Sequence, residues 1–318
     1  MSQKAGVRTI SPAEVRSAAE RIGSYIRRTP VLRLEPEAVG ANAPVWLKLE
    51  YLQVTGTFKA RGAFSLLLGA EVPEAGIVAV SGGNFGLAVA YAAGRLGYPI
   101  TVFVPEFAPK VKIDGIRALG AEVRMVSGSA EELFETARRR VEESGALAAH
   151  PFDLPEVVAG AGTCGLELEE QRSDLDTVLV AVGGGGLIGG IAAWFNGRAR
   201  VVAVESEGTA TLHRSRRAGR RITIEPTGIA ASALGAPAVG EIAWDITQRL
   251  VSDCILVADD DIRAAQRCLW DAARIVAEPG GAAAFAALLS GAYVPAADEC
   301  VGVVICGGNT EPGSVAVR

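Results

Sequence analysis

The stretch Thr55-Gly56-Thr57-Phe58-Lys59-Ala60-Arg61-Gly62-Ala63 holds the residue best suited to covalent chemistry in this chain. Lys59 stands in a turn of small residues, behind an aromatic side chain and ahead of a helix, a setting that suits Schiff-base formation. Burial there would lower the amine pKa and free it as a nucleophile. The chain has five lysines, Lys4, Lys48, Lys59, Lys110 and Lys112. Lys4 falls in a loose tail, Lys110 and Lys112 open a helix after Pro109, and Lys48 sits in an alternating strand pattern. These four read as replaceable. Taken alone, Lys59 also fits a surface lysine at a helix start, so the other candidate residues decide its meaning.

Val178–Val182 runs into Gly183-Gly184-Gly185-Gly186-Leu187 and then a helix. Four residues without a Cβ let the backbone turn its N–H groups onto one oxyanion at a helix N-terminus, and phosphate is the ligand this favours. The same run satisfies GxGxxG from Gly184 to Gly189, with Glu205 ending the next strand, so a nicotinamide-dependent dehydrogenase is a rival reading. That reading leaves Lys59 and a second loop, Ser81-Gly82-Gly83-Asn84-Phe85-Gly86, without roles. The second loop can offer backbone amides and the Ser81 hydroxyl to a carboxylate, and the Asn84 amide to a phenolic oxygen; the plain alternative is a helix cap. Val301–Ile305 is an apolar strand ending at Cys306, which by itself reads as a core thiol.

Behind these loops the pattern is strand, glycine-bearing turn and helix, repeated, which predicts parallel strands with crossover helices. Ser11-Pro12-Ala13-Glu14 opens a helix running to about residue 26, and 28–32 read as an extended connection. Strands are expected at 45–50, 77–80, 100–104, 122–126, 177–182, 200–204, 254–257 and 301–305. Helices are expected at 59–69, 84–96, 110–119, 130–143, 155–171, 187–196, 259–277 and 280–290. The fold class is α/β in two lobes, each an open, mostly parallel sheet with helices on both faces. Residues 1–73 and 146–318 form the large lobe and 74–145 a small mobile one, while 205–250, with its Arg/Gly run, is expected to be the least regular and surface-exposed.

Composition narrows the class. Among 318 residues, 49% are hydrophobic, and the net charge of −5 argues against nucleic-acid binding. Five scattered cysteines with no CxxC pair suit reduced thiols in a cytoplasm, and two histidines exclude a histidine-rich metal site. The N-terminus shows no apolar signal segment. The uncharged run 177–197 is long enough to span a bilayer, but its glycines, four of them consecutive, favour a buried strand, turn and helix instead of a membrane span.

Taken together, the motifs resemble the fold-type-II pyridoxal-phosphate (PLP) enzymes, of tryptophan-synthase-β-like fold, and within them the serine/threonine dehydratase and serine racemase group. The resemblance rests on Leu47–Gln53 with Thr55–Ala63, Ser81–Gly86, His150-Pro151-Phe152-Asp153 with Ala159–Thr163, Gly183–Gly186, Glu278-Pro279-Gly280-Gly281-Ala282-Ala283 and Cys306-Gly307-Gly308-Asn309. It implies that Lys59 forms the Schiff base and then serves as the base at Cα. It implies that Gly183, Gly184, Gly185, Gly186 and Leu187 hold the cofactor phosphate, Asn84 bonds the ring hydroxyl, Phe58 packs beside the ring and Cys306 faces the pyridine nitrogen. Ser81 with Gly82, Gly83, Asn84 and Phe85 would bind the substrate. A thiol opposite the ring nitrogen makes a weaker electron sink than a carboxylate, which suits loss of a β-hydroxyl.

Departures from the family pattern sharpen the expectation. Gly82 stands where the racemases of the family carry a serine that acts as base on the opposite face, which argues against racemisation. Phe85 replaces a common histidine or alanine, and Ala161 a frequent glutamine. Relatives that bind a cation use carboxylates after the strand ending at Glu205; here Glu205 and Glu207 are present but Thr211 stands at the later position. The implied protein is a cytoplasmic homodimeric ammonia-lyase that turns L-threonine or L-serine into a 2-oxo acid and ammonia. A threo-3-hydroxyaspartate dehydratase or another eliminating or racemising relative is the alternative.

Overall fold

The computed structural model describes residues 9–35, 43–106, 108 and 110–316. Its strands in chain order are β1 (Val31–Leu34), β2 (Val45–Lys48), β3 (Ile77–Val80), β4 (Ile100–Pro105), β5 (Glu122–Val126), β6 (Leu147–Ala149), β7 (Thr177–Ala181), β8 (Arg200–Ser206), β9 (Val251–Val257) and β10 (Val301–Val304). They form a six-stranded sheet in the order β1-β2-β10-β7-β8-β9 and a four-stranded sheet in the order β5-β4-β3-β6. Pairing is parallel throughout except at β1, which runs antiparallel to β2 along one edge. Central strands read as continuous apolar runs because helices cover both faces: every residue of β7 and of β10 is buried.

The uncharged run from 177 resolves into β7, a glycine turn and helix Gly186–Phe195, all ten of whose residues are buried. Among the described residues no helix is long and apolar enough to cross a membrane. Helix Pro12–Ile22 begins on the expected capping box, Ser11 accepting from the Glu14 N–H while the Glu14 carboxylate accepts from the Ser11 N–H. The extended connection expected over 28–32 is in part the edge strand β1. Residues 147–149 pair with β3, so the four-stranded sheet continues past residue 145.

Segment 205–250 differs from expectation. It contains helices Thr211–Ala218, Ala231–Leu234 and Glu241–Leu250. The last buries Ile242, Ala243, Ile246 and Thr247 and packs on helix Gly186–Phe195. The charged run drew attention away from this amphipathic stripe, whose apolar residues recur at helical spacing.

Lys48 also differs. It is fully buried on β2, and its Nζ donates to Glu167 Oε2 at 2.8 Å, the Thr29 carbonyl at 2.8 Å and Gln171 Oε1 at 2.9 Å. Beside it, Arg61 is equally buried: its guanidinium grips Glu50 through Nε at 2.7 Å and Nη2 at 2.8 Å, and Glu167 through Nη1 at 2.9 Å and Nη2 at 2.8 Å. Two cations and two carboxylates therefore close a neutral cluster that joins β2, helix Lys59–Gly69 and helix Pro155–Gln171. The two helices approach closely: a Cβ on Gly160 would lie 2.5 Å from the Ser65 Cβ. This packing and the ion cluster fix the helix on whose first residue the candidate nucleophile stands.

Candidate active site

Lys59 opens its helix after a turn in which Thr55 and Gly56 both adopt left-handed backbone, φ 65° and 75°. At Gly56 a Cβ would stand 2.3 Å from Asn309 Oδ1, so both the conformation and the space demand glycine. The turn is laced to the end of β10: the Gly308 N–H donates to Gly56 O at 2.9 Å, the Phe58 N–H to Cys306 O at 3.1 Å, and Thr57 bridges Gly307. The Lys59 Nζ lies 2.9 Å from the Pro151 carbonyl and 5.0 Å from the centre of the Phe58 ring. Desolvation of the amine lowers its pKa to about 8, against the opposing pull of Cys306 and Glu278.

The four glycines fill the gap between β7 and helix Gly186–Phe195, with Gly185 at φ 89°. A Cβ on Gly184 would lie 2.2 Å from the Phe152 ring, and one on Gly183 2.9 Å from Leu234 Cα. The first-turn N–H groups of a helix have no acceptor within the helix itself, so this turn offers them as an anion site. Leu187, in that first turn, is buried.

A cavity of about 230 Å³ brings Lys59 together with Ser81, Gly83, Asn84, Phe85 and Gly184. The Ser81 hydroxyl accepts from the Gly83 N–H at 3.3 Å. Phe85 also serves the core of the four-stranded sheet and is only 2% exposed. Gly82 stands between Ser81 and Gly83, which line the cavity, and a Cβ there would make a tight contact with Ala108 Cβ at 3.3 Å. Phe134 and Phe152 complete the apolar side; the sequence reading gave neither a role of its own, although Phe152 lies in the His150–Asp153 motif.

Cys306 is buried with its Sγ 3.4 Å from the Gly280 carbonyl; burial pushes the thiol up to about 12, so it is a neutral donor. Glu278 is 3% exposed, and its Oε1 accepts from Asn84 Nδ2 at 2.6 Å. Burial raises this carboxyl to about 7 against the opposing Asn84 bond and the nearby Lys112 and Lys59. Asn309 Nδ2 donates to Asn84 Oδ1 and to the Thr55 carbonyl, both at 2.9 Å. Glu278 and Asn309 had no individual role in the sequence reading, although an acid directly before Pro279 at a helix start is a visible cap signal.

The carboxylate considered for a cation, Glu205, is turned to another task. It is buried and accepts the N–H groups of Leu212 at 2.8 Å and His213 at 2.7 Å and the Thr211 hydroxyl at 3.1 Å. It thus caps helix Thr211–Ala218. Among the described residues no cluster of His, Cys, Asp and Glu is arranged to hold a metal ion.

Comparison with known proteins agrees with this geometry. The family model described as "Pyridoxal-phosphate dependent enzyme" matches residues 22–307. A phenylserine dehydratase of Ralstonia pickettii is 38% identical over 302 residues, 93% of this chain and 92% of that protein. An L-threonine ammonia-lyase of Thermotoga maritima is 34% identical, covering 95% of this chain and 76% of its own length. Maize serine racemase superposes with a TM-score of 0.91 at 32% identity, over 97% of this chain and 96% of that one. The chain belongs to the fold-type-II pyridoxal-phosphate-dependent enzymes.

Proposed function

We propose that this pyridoxal-phosphate-dependent lyase is an ammonia-lyase that eliminates the β-hydroxyl of a 2-amino-3-hydroxy acid with an uncharged side chain. The coarser reading, a β-eliminating or racemising enzyme of serine- or threonine-like substrates, rests on the relatives named above. The single observation that carries the finer one is that Gly82, between the cavity-lining residues Ser81 and Gly83, has no side chain able to take a proton. L-Threonine and L-serine remain the first substrates to assay, and an aryl serine joins them because Phe85, Phe134 and Phe152 line the cavity. A second anionic group on the substrate is disfavoured: among the described residues Lys59 is the only cationic side chain lining the cavity, so the β-carboxylate of 3-hydroxyaspartate meets no dedicated partner there.

The residues present fit the cofactor. Gly184 has no room for a Cβ beside Phe152, the glycine turn presents helix N–H groups, and a lysine with a lowered pKa stands in the same cavity. When bound, pyridoxal phosphate supplies an aldehyde for an amine and a ring that accepts electron density from Cα. In this reading Lys59 would hold the cofactor aldehyde, and its Nζ would be the group placed to carry a proton from Cα. The amides of Gly183–Gly186 and Leu187 hold the phosphate. The Cys306 thiol donates toward the ring nitrogen without charging it, and Phe58 packs beside the ring. Asn84 donates to the ring hydroxyl. Ser81 and the amides of Gly82 and Gly83 receive the substrate carboxylate, and Phe85 borders its side chain.

The test is ketoacid and ammonia release from L-serine, L-threonine, L-threo-phenylserine and 3-hydroxyaspartate, with chiral analysis of unreacted amino acid. Elimination from the first three with no enantiomer appearing supports the reading. Racemisation faster than ammonia release overturns it, and loss of cofactor absorbance in Lys59→Ala checks the anchoring residue.

A further inference from the structure

We propose that Glu278 is a positioning residue that, with Asn309, locks the direction of the Asn84 amide so that one of its N–H bonds is kept for the cofactor ring. The inference rests on reading Asn84 as the ring-hydroxyl contact. Its basis is the polarity of a hydrogen-bonded row that starts at a backbone carbonyl. The Thr55 carbonyl can only accept, so the Asn309 group facing it must be the NH₂. That same nitrogen meets Asn84 at 2.9 Å, so the Asn84 atom facing it must be the carbonyl oxygen. The Asn84 NH₂ then points the other way, where Glu278 Oε1 lies 2.6 Å off.

A flipped Asn84 would set NH₂ against NH₂ at one end and oxygen against oxygen at the other. Both contacts are repulsive in a buried setting. The amide has two hydrogens on nitrogen; Glu278 takes one, and the other remains for an acceptor in the cavity that Asn84 lines. Thr55 belongs to the left-handed turn that presents Lys59, so the element that places the amine also sets the sense of the row. Glu278 is itself fixed at the position just before helix Pro279–Leu289, its N–H donating to Gly307 O at 3.1 Å. A Cβ on Gly307 would stand 2.1 Å from Glu278 Oε1, so that glycine makes room for the carboxyl. The charged and titratable groups that act on the carboxyl are Lys59, Lys112 and Cys306.

The experiment compares Glu278→Gln, Glu278→Met, Asn309→Asp and Asn84→Ala as holoenzymes. Two readouts besides activity are taken: pyridoxal-phosphate affinity after reconstitution, and the ratio of visible to near-ultraviolet cofactor absorbance against pH. Gln keeps an acceptor for Asn84, so Glu278→Gln should rescue both readouts. Glu278→Met should weaken cofactor binding about tenfold or more, the scale of one lost hydrogen bond to a charged group, and shift the absorbance ratio. Asn309→Asp, which removes the donor at the other end, should shift the ratio in the same direction even if Glu278→Met does not fold. Glu278→Gln as impaired as Glu278→Met, or an unchanged ratio in Asn309→Asp, overturns the proposal. An unchanged Asn84→Ala would instead overturn the role given to Asn84, a separate failure.

Discussion

The Lys59 amine sets the sharpest numerical expectation. Desolvation brings its pKa from 10.5 to about 8, a drop of about 2.5 units, which raises the neutral fraction near pH 7 about 300-fold, to roughly one amine in ten. The perturbation is pH, applied to apo-protein mixed rapidly with saturating pyridoxal phosphate. The measurement is the rate of covalent capture, followed by absorbance from pH 6 to pH 11. Because only the neutral amine attacks, the rate should climb about tenfold per unit below the pKa and level off near pH 8. A rate still climbing at pH 10 would refute the claim that burial activates this lysine. Stability gives an independent check with a fixed sign. The folded value lies below the unfolded one, so the unfolded chain holds the extra proton between about pH 8 and 10.5. The apo-protein should therefore gain stability as pH rises through that window.

Three substitutions test other parts of the reasoning. Gly184→Ala places a methyl group 2.2 Å from the Phe152 ring; it should cost about 1–3 kcal/mol and weaken cofactor binding, read by thermal melting and titration, and a neutral outcome would show that the turn tolerates side chains. Gly82→Ser asks Ala108 Cβ, 3.3 Å from the new Cβ, to give by a few tenths of an ångström; the variant should fold and acquire measurable serine racemisation, scored by chiral chromatography, and a folded variant without it would leave Gly82 irrelevant to the stereochemical outcome. Arg61→Met strands the Glu50 carboxylate and leaves Glu167 with Lys48 alone, and should destabilise by about 3–5 kcal/mol in urea melts.

What was legible in the sequence follows from how local each signal was. The nucleophile turn and the glycine turn were readable because backbone geometry there tolerates few residue types, and helix Lys59–Gly69 begins and ends where its pattern placed it. β3 and helix Asn84–Leu96 likewise match their apolar runs. The buried roles of Lys48 and Glu167 were not readable, since they lie 119 positions apart and only the pairing of β2 with β10 brings them inside. Glu205 shows the same limit from the other side. Its position in the chain suggested a ligand, but the return of residues 211–213 over the strand end turned it into a helix cap. β6 escaped notice because three residues carry too little periodicity to separate a strand from a loop.

Two lysines eleven positions apart, Lys48 fully buried and Lys59 half-buried on the cavity wall, illustrate how the fold assigns opposite chemistry to one side chain. Lys48 has three acceptors, one of them the Glu167 carboxylate, so its ammonium is satisfied and inert. Lys59 has one modest acceptor, the Pro151 carbonyl, and desolvation leaves its neutral form accessible. Arg61 maintains the difference. By gripping Glu50 and Glu167 with its own fork, two residues after Lys59, it engages both carboxylates itself. The one carboxyl left near the amine, Glu278, is itself pushed up to about 7 by burial and turned toward Asn84. An ordinary ionised carboxylate in its place would pair with Lys59, hold the amine protonated, and abolish the nucleophile. Under the role proposed for Lys59, the buried ion cluster serves the reaction by engaging counter-charges that would otherwise silence the amine.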